Sequence, residues 1–160
     1  MNSKMRSLIR SPLLALVLVA VFAGTALATG AIDFGPPVPV AKGTMSGSVR
    51  VNTGLIKFQT KGPVVFNTVS ITIKPGGTSG WHSHPGVALV TVKQGSVTFY
   101  DQSCVGTVHA AGTSFVEAVT DGPGQARNEG TIDTIVYVTF IAPANTTVFR
   151  VDRGDPCVDD

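Results

Sequence analysis

Two histidines, His82 and His84, are spaced so that both side chains could bind the same metal ion. One residue separates them, and Pro85 follows the second. On an extended strand, side chains two positions apart project from the same face, and Pro85 favours extended backbone at His84, so both imidazoles point into one space. Converging imidazoles can hold a divalent ion of iron, manganese, nickel, copper or zinc. The pair predicts a metal site of unknown identity, with an ordinary pair of surface histidines as the alternative.

The elements around this pair read as short strands and turns. From Val49 onward, β-branched and aromatic residues come in short runs between turn residues, and no stretch has a sustained 3.6-residue apolar period. The predicted strands are 47–51, 55–60, 64–73, 87–93, 96–101, 104–109, 114–118, 125–128, 131–142 and 147–151. Many short strands at nearly even spacing indicate an all-β sandwich or barrel.

The window around the histidines resembles the first motif of the cupin superfamily, G-x5-H-x-H-x(3 or 4)-E-x6-G. Gly76, His82, His84 and Gly95 stand at its glycine and histidine positions. The second motif is matched in part, by Gly112 and by the run 127–130. The resemblance covers residues 64–142 and is closest in kind to small type-2 cupins. It implies an all-β, single-domain, cupin-type double-stranded β-helix, which is a jelly-roll barrel.

The resemblance also implies two metal ligands that this chain lacks. The family glutamate would fall at Ala88, and the last family histidine would fall at Gly124. Neither side chain can coordinate a metal. A metal bound by His82 and His84 would therefore keep several positions open, and no catalytic residue can be named.

Other residues near the motif are weaker candidates. Gln125 could offer an amide oxygen if its loop is bulged, and His109 is the third histidine of the chain. Glu117 is expected to be a solvated carboxylate at a strand end. Trp81 is expected to face away from the histidine pair and to pack.

Residues 1–28 predict a secretory signal peptide. Lys4, Arg6 and Arg10 precede the apolar run 13–22, and Ala28 ends a small-residue cleavage pattern. The apolar run is shorter than the roughly 20 residues of a membrane-spanning helix. We therefore expect a mature chain that begins at Thr29, has no membrane span and is secreted or extracytoplasmic.

The two cysteines support the same location. In an oxidising compartment Cys104 and Cys157 would pair with each other, which predicts a disulfide bond. The predicted organisation is a signal peptide at 1–28, an extended segment at 29–46, a barrel at 47–151 and a tail at 152–160 that the disulfide ties down.

The charge balance excludes one class of partner. Three of the 12 Lys and Arg lie in the signal peptide, so nine remain against ten Asp and Glu. A nearly neutral chain without a basic patch does not predict nucleic-acid binding. The expected partner is a small molecule, and a homodimer stays open.

Two functions remain. The first is an exported cupin-domain protein that binds a divalent metal through His82 and His84 and acts on or binds a small molecule. The second is a metal-free, non-catalytic barrel that binds a small ligand such as a saccharide or has a structural role.

Overall fold

Strands make up the regular structure of residues 28–118 and 122–158, the part of the chain that the computed structural model describes. The predicted signal peptide lies outside these residues, apart from Ala28. The described residues contain no helix that is long and apolar enough to cross a membrane. The strands are β1 Ile32–Phe34, β2 Val38–Met45, β3 Arg50–Asn52, β4 Lys57–Gln59, β5 Val64–Thr78, β6 His82–Ser83, β7 Val87–Gln94, β8 Ser96–Tyr100, β9 Gly106–Ala110, β10 Ser114–Ala118, β11 Gln125–Arg127, β12 Thr134–Pro143 and β13 Val151–Asp152.

Nine of these strands form one antiparallel sheet that curls into a nearly closed barrel. The strand order is β10-β7-β12-β5-β11-β8-β9, and β1 and β2 also pair with β5. At the two edges of the sheet, His109 on β9 stacks on Phe115 on β10, with ring centroids 4.1 Å apart. The predictions of an all-β fold and of a jelly-roll, double-stranded β-helix barrel are confirmed.

The core lies inside the barrel because buried residues alternate with less buried ones along its central strands, β12 above all. On β12, Val136, Val138, Phe140 and Ala142 are buried, while the residues between them are only partly covered. The register places Phe140 opposite Ala88, and Val138 opposite Val90, so the same face of β7 points inward. Ala88 is fully buried on that face.

β5 bends near its end, and the bend directs the chain towards the histidines. Gly76 has a φ of 76°, in the left-handed region that favours glycine. The Gly76 N–H donates to the carbonyl of Asn128 at 2.8 Å, and the Asn128 N–H donates to the carbonyl of Gly77 at 2.9 Å. Beyond the bend, Thr78 pairs with Arg127 on β11.

The amino-terminal residues differ from the sequence prediction. The segment 29–46 was expected to be extended outside the barrel, but β1 and β2 pair with β5 along the edge that β12 leaves free. Pro39 is tolerated in β2 because an edge strand has N–H groups that need no partner. Residues 47–60, expected to begin the barrel, instead form a separate β3–β4 hairpin.

The carboxyl-terminal residues 149–154, which we call the C-terminal strap, lie along the histidine strand. Val151 of β13 pairs with Ser83 and Asp152 pairs with His82. Beyond the strap, Cys157 is bonded to Cys104, which confirms the predicted disulfide. The disulfide therefore connects the end of the chain to the loop between β8 and β9.

Candidate metal centre

The two-residue strand β6 is held from both sides by backbone hydrogen bonds. The strap pairs with one edge of it, and the Arg153 N–H donates to the carbonyl of Trp81 at 2.8 Å. On the other edge, His82 and Gly124 exchange two hydrogen bonds of 2.9 Å each. Gly80 turns the chain into β6 with a φ of 66°. These contacts fix the backbone that carries both histidines.

His82, His84 and Glu117 form one cluster. The Nε2 atom of His84 lies 3.0 Å from Oε2 of Glu117, and the Nε2 atom of His82 lies 3.7 Å from the same oxygen. The two imidazole rings meet edge to face, with centroids 4.8 Å apart. The histidines are 6% and 7% exposed, so the cluster is buried.

Backbone carbonyls orient both imidazoles. Nδ1 of His82 lies 2.9 Å from the carbonyl oxygen of Gly80, and Nδ1 of His84 lies 2.6 Å from that of Phe149. A carbonyl oxygen can only accept, so each Nδ1 carries the hydrogen and donates it. Each Nε2 then faces Glu117. Metal-binding histidines have the same arrangement, in which one ring nitrogen donates to a protein acceptor and the other is available to the metal.

Glu117 was expected to be a solvated carboxylate, and that expectation was wrong. Its side chain is only 11% exposed and points at the histidines. The register of β10 on β7 places Glu117 directly opposite Ala88, the position where the cupin motif has its glutamate. Residues opposite each other in a ladder project from the same face. A carboxylate thus enters the same space from the neighbouring strand.

Burial keeps His82 uncharged at neutral pH. Loss of solvation lowers the pKa of His82 from 6.5 to about 4, with the carboxylate of Glu117 opposing this change and the charge of Arg150 adding to it. A neutral imidazole has a free lone pair on Nε2, and a metal ligand needs that lone pair.

The cluster fits a divalent metal ion. Its three ligand atoms lie within 4.8 Å of one another. Two donors that are each about 2.1 Å from one ion, at tetrahedral or octahedral angles, are about 3.0 to 3.4 Å apart. The distances of 3.0 Å and 3.7 Å from Oε2 of Glu117 to the two Nε2 atoms are close to this range. Two imidazoles and one carboxylate suit iron, manganese or zinc and leave positions for water or a small molecule.

The fourth ligand of the cupin motif has no space in this chain. A side chain at Gly124 would overlap the ring of Phe99. Gln125 lies on β11 beside Ala126, which is buried and lines the barrel interior, so Gln125 faces the opposite way. His109 stacks on Phe115 outside the cluster. Trp81 is buried and lines neither cavity described below.

The cluster forms a shared wall between two cavities. The barrel cavity, of about 390 Å³, is lined mainly by valine and phenylalanine side chains. The second cavity, a cleft of about 440 Å³, is bordered by Asp101, Gln102 and Ser103. Since His82, His84 and Glu117 line both, an ion among them could be approached from an apolar side and from a polar side.

Comparison with known proteins gives structural resemblances alone. No protein-family model matches the chain, and no curated protein matches its sequence.

Three of the similar solved structures illustrate how far the sequence identity, the coverage and the fold similarity extend. A double-stranded β-helix protein from Klebsiella pneumoniae is 22% identical over 54% of this chain and 73% of that chain, with a TM-score of 0.47. A Cupin_2 domain of an XRE family transcriptional regulator from Enterobacter cloacae is 21% identical over 48% of this chain and 80% of that chain, with a TM-score of 0.41. A recombinant oxalate oxidase in complex with glycolate is 21% identical over 52% of this chain and 45% of that chain, with a TM-score of 0.43. At these TM-scores, the chemistry of the site rests on the geometry of this chain.

Proposed function

We propose that this chain is an exported cupin-type barrel protein that binds a divalent metal ion through His82, His84 and Glu117 and acts on or binds a small molecule beside it. The observation that carries the proposal is the cluster itself, in which three ligand atoms from two separate segments of the chain lie within 4.8 Å of one another. Each histidine is already oriented by a carbonyl acceptor on Nδ1, which leaves its Nε2 as the atom available to an ion.

The residues of the cluster would have different roles towards the ion. Glu117 supplies one negative charge, and His82 and His84 supply neutral donors. An ion held there would polarise an oxygen atom of a bound small molecule. The apolar wall of the barrel cavity would lower the local dielectric constant on that side and so strengthen the electrostatic interactions at the ion.

Export is supported by the disulfide, which is consistent with an extracytoplasmic location. The Thr29 N–H donates to the carbonyl of Arg153 at 3.1 Å, and the Thr29 hydroxyl accepts from the Trp81 N–H at 2.7 Å. A mature chain that begins at Thr29 would keep both contacts. Mass spectrometry of the exported protein would test this amino terminus.

Metal titration tests the proposed site. We expect the purified protein to bind one zinc or cobalt ion per chain, and the His82→Ala/His84→Ala variant to lose that binding. His109→Ala is the matched control, because it also removes a histidine but from outside the cluster. Stoichiometric binding that survives in a folded double variant would overturn the assignment.

A metal-free barrel is the second candidate, and one observation favours it. In place of an ion, one proton between Nε2 of His84 and Oε2 of Glu117, which are 3.0 Å apart, would satisfy both groups, and among the described residues every buried side-chain polar atom has a partner. On this reading, zinc would not bind stoichiometrically to the wild-type protein. The same titration therefore separates the two functions.

A further inference from the structure

The barrel cavity has an apolar body and one charged end. Four phenylalanine rings line it, those of Phe34, Phe115, Phe140 and Phe149. Arg150 is the only lysine or arginine among the described residues that line it, and it lies at the same end as the His82–His84–Glu117 cluster. The cavity of about 390 Å³ lies within the usual size range for sites that hold small organic ligands.

Arg150 is held in place with part of its guanidinium free. Its Nε donates to Asp152 at 2.8 Å, and its Nη2 donates to the carbonyl of Ser79 at 2.6 Å. Among the described residues, no acceptor is bonded to Nη1. A guanidinium has five N–H donors in a fixed plane, so this group keeps donors for an anion.

The charges at this end call for one further anion. A divalent ion with the Glu117 carboxylate and two neutral imidazoles has a net charge of +1, and Arg150 is already balanced by Asp152. A net charge beside an apolar cavity is unfavourable unless an opposite charge accompanies it. A carboxylate can both coordinate the ion and accept from the guanidinium.

We propose that the barrel cavity binds a small aromatic monocarboxylate, with the acid group between Arg150 and the metal cluster and the ring among the four phenylalanines. This proposal rests on the proposed metal site. Aromatic rings pack favourably on one another, which favours an aromatic body over a flexible chain. The apolar walls disfavour a saccharide, whose hydroxyl groups would lack partners there.

Calorimetry with three probes tests the proposal. Zinc-loaded protein is titrated with phenylacetate, with phenylacetamide, which lacks the charge, and with acetate, which lacks the ring. We expect phenylacetate to bind at least about tenfold more tightly than either of the others. Equal binding of phenylacetamide would overturn the role of the charge, and equal binding of acetate would overturn the role of the ring.

Three variants and one matched control locate the interaction. In Arg150→Gln, the preference for phenylacetate over phenylacetamide should fall by about tenfold, while Arg150→Lys should keep part of it. Arg127→Gln is the matched control, because Arg127 is exposed and lies outside both cavities. Ala126→Leu fills space in the barrel cavity and should weaken phenylacetate but leave acetate unchanged. A preference that is unchanged in Arg150→Gln would overturn the placement of the acid group.

Zinc titration of the same samples separates the two proposals. If zinc binds and phenylacetate does not, the ligand proposal fails while the metal site stands. If zinc does not bind stoichiometrically, the metal site is overturned, and the ligand proposal falls with it because the charge to be balanced is absent.

Discussion

The position of Glu117 opposite Ala88 gives the sharpest test of the metal centre. The test is Glu117→Gln, which keeps the shape of the side chain and removes its charge. We expect this variant to bind zinc much more weakly than the wild-type protein. The reason is that Glu117 would be the one charged protein ligand, since His82 and His84 coordinate as neutral groups.

The size of the effect follows from charge and distance. One carboxylate charge about 2.1 Å from a divalent ion contributes about 4 kcal/mol even at the dielectric constant of water. That energy corresponds to roughly a thousandfold in affinity. The glutamine oxygen can still coordinate, and an amide is less costly than a carboxylate to bury, so we expect a loss of roughly 100-fold to 1,000-fold.

A competition titration against a fluorescent chelator at neutral pH measures this loss. Glu129→Gln is the matched control, because it removes the charge of a carboxylate that accepts two hydrogen bonds of 2.7 Å and lies outside the cluster. Affinity in this control should equal that of the wild-type protein.

A swap variant tests the register itself. In Ala88→Glu/Glu117→Ala the carboxylate moves to the opposite residue of the ladder. The Cβ atoms of opposite residues are about 4.5 to 5.5 Å apart, so this variant should recover most of the zinc affinity lost in Glu117→Gln. Ala88→Gln/Glu117→Ala has the same volume without the charge and should not. The reasoning is refuted if folded Glu117→Gln binds zinc as tightly as the wild-type protein, or if the two double variants bind alike.

Three further predictions concern stability and the supports of the site. Because the pKa of His82 is lowered to about 4, the unfolded chain is protonated there near pH 6.5, whereas the folded metal-free chain is protonated only near pH 4. The free energy of unfolding, measured by urea denaturation, should therefore fall by roughly 3 kcal/mol between pH 6.5 and pH 4. His82→Gln should flatten that decline, and an unchanged slope would contradict the assignment. Cys104→Ser/Cys157→Ser opens a loop of 53 residues and should lower the free energy of unfolding by about 4 kcal/mol, with weaker zinc binding measured on the same sample. The added methyl group of Gly124→Ala would overlap the Phe99 ring and should lower the free energy of unfolding by about 1 to 3 kcal/mol. Gly43→Ala is the control, because its methyl group would meet open space and should not destabilise the protein. In a thermal melt, Phe99→Leu should relieve the destabilisation caused by Gly124→Ala.

The sequence was sufficient to predict the features that depend on local residue patterns. Alternation and turn residues located the barrel strands, and the i, i+2 spacing predicted that both imidazoles share one space. Two cysteines together with a predicted signal peptide were enough to predict the disulfide. The β1 and β2 strands were missed because prolines weaken the strand pattern, yet an edge strand tolerates them.

The part of the site that was missed depends on long-range contacts. The inward position of Glu117 depends on the register between β10 and β7, and two other strands separate them in the chain. No turn between consecutive strands sets that register, so a local pattern could not supply it. The acceptor for His84 is the carbonyl of Phe149, and a backbone group leaves no mark on residue type.

If the cluster binds an ion as proposed, the C-terminal strap would couple metal binding to the oxidation state of the cysteines. The strap pairs with β6 and provides the acceptor for His84, and the disulfide holds the residues just beyond it. An ion that favours the ordered strap must therefore also favour the closed disulfide, by the same free energy with which the closed disulfide favours the ion. A reductant would then release metal, and a chelator would make the disulfide easier to reduce. Such a protein would keep its ion outside the cell and give it up in a thiol-rich compartment.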